Sequence, residues 1–156
     1  MDPLAPAAHC DRRLRTVDQQ LLDAYLSAEY WVEEVSVPFA LRVGSGSEAL
    51  RALHVECGVS CSAFLTAYNP GSRPHSDTWN RHAQDRMEAD LTREGFALRR
   101  GVGRDPLGVW PREPSVLALG IPRDNAEVIG RRYGQNAVVW NGTGGIPELL
   151  VLVRAD

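Results

Sequence analysis

The stretch Ala63-Phe-Leu-Thr-Ala-Tyr-Asn-Pro-Gly-Ser-Arg-Pro-His-Ser-Asp-Thr-Trp-Asn80 restricts the chain more than any other. Ala63 to Tyr68 is an apolar, β-favouring run. Asn69-Pro70-Gly71-Ser72 is a rigid polar turn, because proline fixes φ while asparagine and glycine tolerate the left-handed region. After the Arg73-Pro74 bend a helix opens at Ser76 or Asp77. A strand, a tight turn and a helix N-terminus in succession bring hydrogen-bonding side chains and free backbone N–H groups to one sheet edge. Such an edge can hold a ligand or simply close the fold.

On either side the pattern is that of one domain. Residues 1–14 carry Pro, Ala and Arg without apolar periodicity and are expected as a flexible tail, with a single domain over 15–156. Thr16 and Gln19 have capping-box spacing, and Val17, Leu21, Leu22 and Tyr25 share the helical face that follows. Tyr30–Val32 with Val35, and Phe39–Val43, read as short strands. Ser47 caps a helix that buries Ala49, Leu50 and Leu53 and ends near Gly58. The helix from Asp77 to Glu94 has the stripe Trp79, Ala83, Met87 and Leu91, with Arg81, Asp85, Glu88 and Arg93 on the solvated face. Phe96–Arg100 reads as a strand, and residues 101–114 as a long loop broken by Gly and Pro.

Ser115–Ile121 reads as a buried strand. Asp124 and Glu127 suggest a second capping pattern, for a helix that Gly134 stops. Gln135–Trp140 and Glu148–Val153 then form a hairpin around Asn141-Gly142. The expected class is α+β: a mixed sheet of about six or seven short strands with three to four helices, closed by the C-terminal β-hairpin.

Charge and cysteine content narrow the function classes. The formal charge of −3 has the wrong sign for general nucleic-acid binding, which depends on neutralising phosphates. Residues 1–62 hold five Arg against nine acids, and residues 95–156 eight Arg against six. All 17 cationic residues are arginine, so neither Schiff-base nor phosphate-loop lysine chemistry is open to the chain. Cys10, Cys57 and Cys61, with no secretory leader, suit a reducing compartment; a cytoplasmic protein is expected. No apolar run reaches the ~18 residues of a membrane span. No metal or cofactor is expected. Cys57-x₃-Cys61 with His54 lacks zinc spacing, His75 and His82 lack companions, and Gly101-Val-Gly-Arg-Asp-Pro matches no nucleotide loop. Ser62, Ser72 and Ser115 lack the nucleophile-elbow context.

Several spaced motifs together carry a resemblance. Ala67-Tyr-Asn-Pro70 with Ser76 and Asn80, Trp110-Pro-Arg-Glu-Pro-Ser115, Leu119-Gly120 and Gly134-Gln-Asn-Ala-Val-Val-Trp140 resemble a bacterial domain-of-unknown-function family, number 3293, from Leu21 to Val153. The resemblance implies a small single-domain bacterial protein. It brings no catalytic residue, cofactor or substrate with it.

The candidate ligand residues are Asn69, Ser72, Ser76, Asn80, Arg104, Glu113 and Gln135, with Thr66 beside them. Each has a structural alternative: an Asx turn for Asn69, a cap for Ser76, a bond back onto the loop for Asn80, and helix-end carbonyls for Gln135. Glu113 is the catalytic candidate, as a general acid or base, or else it closes a loop ion pair. Arg104-Asp105 reads as a turn salt bridge, or Arg104 with Arg99 and Arg100 as an anion clamp. Trp31, Trp79 and Trp140 read as core and Trp110 as exposed. Three functions follow. The first is a binding protein for a small polar or anionic molecule. The second is a small enzyme built on Glu113, and the third an interaction module using the Gly/Pro loop and Trp110.

Overall fold

Alternation along the central strands determines the architecture. The computed structural model describes residues 18–153. Strands β1 (Glu29–Val32), β2 (Phe39–Leu41), β3 (Ser62–Leu65), β4 (Ala97–Arg104), β5 (Glu113–Leu119), β6 (Ala137–Asn141) and β7 (Pro147–Val151) form one sheet in the order β2-β1-β4-β5-β3-β6-β7. Every residue of β3 is buried, as a central strand covered on both faces requires. Ala63 and Leu65 of β3, with Val116 and Ala118 of β5, face one core; Phe64, Leu117 and Leu119 face the other. All the pairings are antiparallel, a more uniform ladder than the mixed sheet expected.

Among the described residues four helices cover this sheet: α1 (Gln19–Ser27), α2 (Glu48–Cys57), α3 (Asp77–Arg93) and α4 (Arg123–Arg132). On the first face, Ala83, Met87 and Leu91 of α3 pack with Ala126 and Ile129 of α4. On the second, α2 contributes Leu50 and Leu53 beside Val32, Leu41 and Val139, while Ala49 is exposed. The α+β class with a C-terminal hairpin is what the sequence implies. The hairpin pairs Ala137 with Val151 and Asn141 with Pro147.

Several local expectations give way to packing. Asp18 caps α1 by accepting the Leu21 N–H; Thr16, Val17 and the 1–14 segment lie outside the described residues. On α3 the inward position of the first turn is Asn80, followed by Gln84, so the stripe does not begin at Trp79. Trp79 is 41% exposed and stacks on His75, with ring centroids 4.2 Å apart. Helix α4 starts after Pro122 with no side-chain cap. Glu127 there lies near Arg123 and Arg131, at 3.7 and 3.6 Å, one turn to either side.

The largest difference is in β4, which continues through Gly101 and Gly103 to Arg104 where a loop was expected. These glycines are close-packing positions within the ladder. A Cβ on Gly101 would stand 2.2 Å from the Trp31 carbonyl oxygen and 3.0 Å from the Phe64 ring. Only a residue without a side chain lets β1 and β4 approach there. Gly101→Ala should therefore destabilise the fold by about 3 kcal/mol, the upper range for overpacking. Gly144→Ala, with nothing within 4 Å of the new Cβ, should stay within about 0.5 kcal/mol of the parent in denaturant titrations.

Candidate functional site

The chain leaving β3 is held in place residue by residue. Thr66 Oγ1 donates to the Pro114 carbonyl at 2.8 Å, and Gln84 Oε1 accepts the Ala67 N–H at 2.8 Å. Asn69 then turns the backbone with φ 46°, in the left-handed region that asparagine tolerates best after glycine. Its N–H donates to Asn80 Oδ1 at 2.9 Å, and its own Oδ1 accepts from Asn80 Nδ2 at 2.8 Å and from the His75 N–H at 3.0 Å. With Asn69 Oδ1 committed to these two bonds, its amide NH₂ faces Glu113 and donates to Oε1 at 3.4 Å. Behind the turn, Gly71 N–H donates to the Gly134 carbonyl at 2.8 Å. Gly134 has φ 69°, and a Cβ there would stand 2.8 Å from Pro70 Cβ, so the end of α4 and the turn fit together only through a glycine.

Across the sheet, Tyr30 of β1 pairs with Gly103 of β4, and Gly103 with Glu113 of β5. Directly paired residues project to the same face. The missing side chain at Gly103 leaves a gap between the Tyr30 ring and the Glu113 carboxyl. Helix α1 roofs the gap. None of its residues is fully buried, and Leu21, Ala24, Tyr25 and Ala28 look into the space. Two tyrosines hold the helix there. Tyr30 Oη donates to the Tyr25 carbonyl at 2.6 Å, and Tyr25 Oη shares a hydrogen bond with Ser72 Oγ at 2.8 Å. Asn136 Nδ2 donates to Ser72 Oγ at 3.3 Å and to Tyr25 Oη at 3.4 Å.

The result is an open hollow of about 340 Å³ at the strand ends, with Phe64, Val139 and Leu149 in its apolar wall. Ligand pockets occupy about 300–1,000 Å³, so the space suits a small molecule. Of the residues singled out in the sequence, Asn69, Ser72, Asn80, Arg104, Glu113 and Gln135 all line it. Ser76 does not; its hydroxyl accepts the Trp79 N–H and caps α3. Asn80 is 2% exposed and spends its amide on the turn, adding a bond to the His75 carbonyl at 3.3 Å. Gln135 donates to the Tyr68 carbonyl at 3.2 Å and to the Tyr133 carbonyl, at the end of α4, at 3.3 Å.

The arginine clamp does not form. Arg99 donates to the Leu98 carbonyl and contacts Cys57 Sγ at 3.7 Å, and Arg104 lies five positions further along β4. The Arg104–Asp105 turn pair is also replaced. Asp105 accepts the N–H groups of Leu107, Val109 and Trp110, which hold its carboxyl below the usual range. Tyr25 and Tyr30 were legible only as apolar positions. A phenol at the edge of an apolar face needs a partner for its hydroxyl, and that need was the available signal.

Glu113 is the electrostatic centre of the hollow. Burial pushes its carboxyl above the ordinary range, and the Asn69 amide only partly offsets this. Burial also raises Tyr25 and Tyr30, with the Glu113 charge adding to both, so the phenols stay neutral. Among the described residues no group donates to the second Glu113 oxygen and no cation lies within 4 Å of it. No three His, Cys, Asp or Glu side chains gather into a possible metal site among those residues.

Two outcomes follow for stability. A carboxyl whose folded pKa exceeds its unfolded value binds a proton more readily when folded, so its contribution falls as pH rises through that window. Glu113→Gln should therefore raise Tm at pH 7, and the gain should vanish below the ordinary value of 4.5, as thermal melts across pH will show. Asn80→Ala leaves the Asn69 N–H and Oδ1 without their partner and should cost about 1–3 kcal/mol in denaturant titrations.

No curated protein and no solved structure matches the chain. Residues 65–138 match the family model described as "Protein of unknown function (DUF3293)", a narrower stretch than the resemblance from Leu21 to Val153. The matched segment runs from the end of β3 through α3, β4, β5 and α4 into β6, and so contains the turn, Gly103, Glu113 and Gln135. Over this segment the chain is similar to the DUF3293 family.

Proposed function

We propose that this chain is a bacterial cytoplasmic binding protein for a small organic molecule that is polar at one end and apolar along its body. The observation that carries this reading is the hollow itself. Aromatic and aliphatic walls meet a half-buried carboxyl with one oxygen unpartnered among the described residues, at a gap held open by Gly103. A protein that only needed to close its fold would gain by filling such a space, since burying one more aliphatic side chain is worth about 1.5–3 kcal/mol. The free thiols of Cys57 and Cys61 support a reducing compartment. No helix among the described residues is long and apolar enough to cross a membrane.

A second reading makes the hollow catalytic. A desolvated carboxyl retains its proton closer to neutral pH than an exposed one, which suits Glu113 to general acid–base work on a bound substrate. A third places a protein partner on the tip of the β4–β5 loop, where Leu107 is 86% and Val109 73% exposed beside Trp110.

One filling substitution separates the first reading from the third. A Cβ at Gly103 meets only the Glu113 carbonyl at 3.9 Å and Ser115 Oγ at 4.0 Å, so Gly103→Leu projects into the hollow without a clash at its root. In a thermal-shift screen of metabolites and nucleotides, a compound at a hundredfold its Kd should add about 2.7 kcal/mol of stability. That corresponds to roughly 5–10 °C at this length. Gly103→Leu should abolish the shift while the variant stays folded. A screen without a hit, together with a partner that co-purifies with the parent and is lost in Trp110→Ala, would move the assignment to the loop. Turnover on a hit, lost in Glu113→Gln with binding retained, would make the protein an enzyme.

A further inference from the structure

The charge inventory of the hollow bears on which polar group it accepts. Its lining includes the acids Asp77, Asp105 and Glu113 and the bases Arg104 and Arg112. Asp105 is occupied by the amides of its own loop, and the Arg112 guanidinium lies 3.7 Å from Glu33. Asp77 sits exposed in the first turn of α3, and Arg104 is exposed at the end of β4. The charge left deepest in the space is Glu113, whose second oxygen accepts from none of the described residues.

The phenol and Gln135 donors nearest the carboxyl are already engaged, and the surrounding rings add negative faces. Tyr25 Oη is engaged with Ser72 and Asn136, and Tyr30 Oη with the Tyr25 carbonyl. Both Gln135 donor contacts go to main-chain carbonyls, so its amide NH₂ is engaged. Tyr25, Tyr30, Phe64, Tyr68 and Trp110 bring aromatic rings to the same space, and the face of such a ring attracts cations. An anionic head group would face Glu113 with no buried cation among the described residues opposite it.

Resting on the binding reading above, we propose that the hollow takes a primary amine, its ammonium on the free Glu113 oxygen and its aromatic or aliphatic body against Phe64, Val139 and Leu149. An ammonium supplies three donors and the full charge that this carboxylate lacks. Of the groups weighed from the sequence for an anion, the arginine clamp does not assemble, the Ser76 hydroxyl caps α3, and the Asn69 and Asn80 amides are bonded to each other.

A matched series tests the class. 2-Phenylethylamine, 2-phenylethanol and 3-phenylpropionate share one body and differ in the head group. In calorimetric or ligand-observed NMR titrations of the full chain, the amine should bind at least about tenfold tighter than the alcohol, as a charge-assisted hydrogen bond allows. The carboxylate should bind weakest. Glu113→Gln should bring the amine down to roughly the alcohol's affinity, and Gly103→Leu should abolish both. Carboxylate binding equal to the amine's, or an amine advantage that survives Glu113→Gln, overturns the amine class. Equal binding by all three, lost in Gly103→Leu, also overturns it while keeping the hollow as a ligand site. Binding by none of the three overturns it too, and the broader reading then stands or falls with the metabolite screen.

Discussion

The reciprocal amide pair of Asn69 and Asn80 is the constraint on which the site depends. One side chain cannot hold a left-handed residue between a strand and a helix, but two amides facing each other can. Each Asn80 polar atom meets an atom of the turn, and Asn69 is left with one orientation for its remaining N–H bond. That orientation aims the amide at Glu113, 44 positions further along the chain. Asn80 lies almost wholly out of solvent and Asn69 is half-buried, so an unmade hydrogen bond here is costly. Everything the hollow presents on its β3 and β5 side inherits its position from these contacts.

The opposite side is built on a different principle. Side chains withheld, rather than bonds made, shape the β1–β4 edge. Gly101 lets the strands approach, and Gly103 leaves a row of the sheet without a side chain between Tyr30 and Glu113. The apolar face of α1 therefore looks across a space instead of into packed residues. Protein interiors normally fill such gaps to crystalline density. A carboxyl held beside one with no countercharge among the described residues is a further cost, and a ligand supplying both bulk and charge would offset the two together.

Much of the fold was legible because period and punctuation agreed. Ala83, Met87 and Leu91 on α3, the terminal hairpin and the strand–turn–helix order all follow from local rules that tertiary packing does not override. The misreadings have separate physical causes. Gly101 and Gly103 resemble loop breakers because sequence alone does not distinguish a glycine needed for backbone freedom from one needed for close approach or empty space. Trp79 resembles core because its bulk suggests burial, but the first turn of α3 faces a polar turn, and the polar Asn80 takes the inward position. The candidate residues were legible as polar groups at strand ends. Their sharing one hollow was not, since that depends on the β1-β4-β5-β3 strand order, which no single segment encodes. The tyrosines of α1 and β1 escaped notice because a ring in an apolar stripe looks like packing until its hydroxyl is seen to span two elements.

The attachment of α1 has an energetic corollary. The sheet with α2, α3 and α4 contains both hydrophobic clusters, and α1 adds no buried residue to either. Among the described residues its hold is a few hydrogen bonds and the half-buried Leu21, Leu22, Ala24 and Tyr25, contacts that open locally at smaller free-energy cost than the core. Access to the interior and survival of the core are thus governed by separate sets of residues. Selection, or an engineer, can alter how readily the chamber admits a guest by editing α1, Ser72 or Asn136 without touching what keeps the sheet folded.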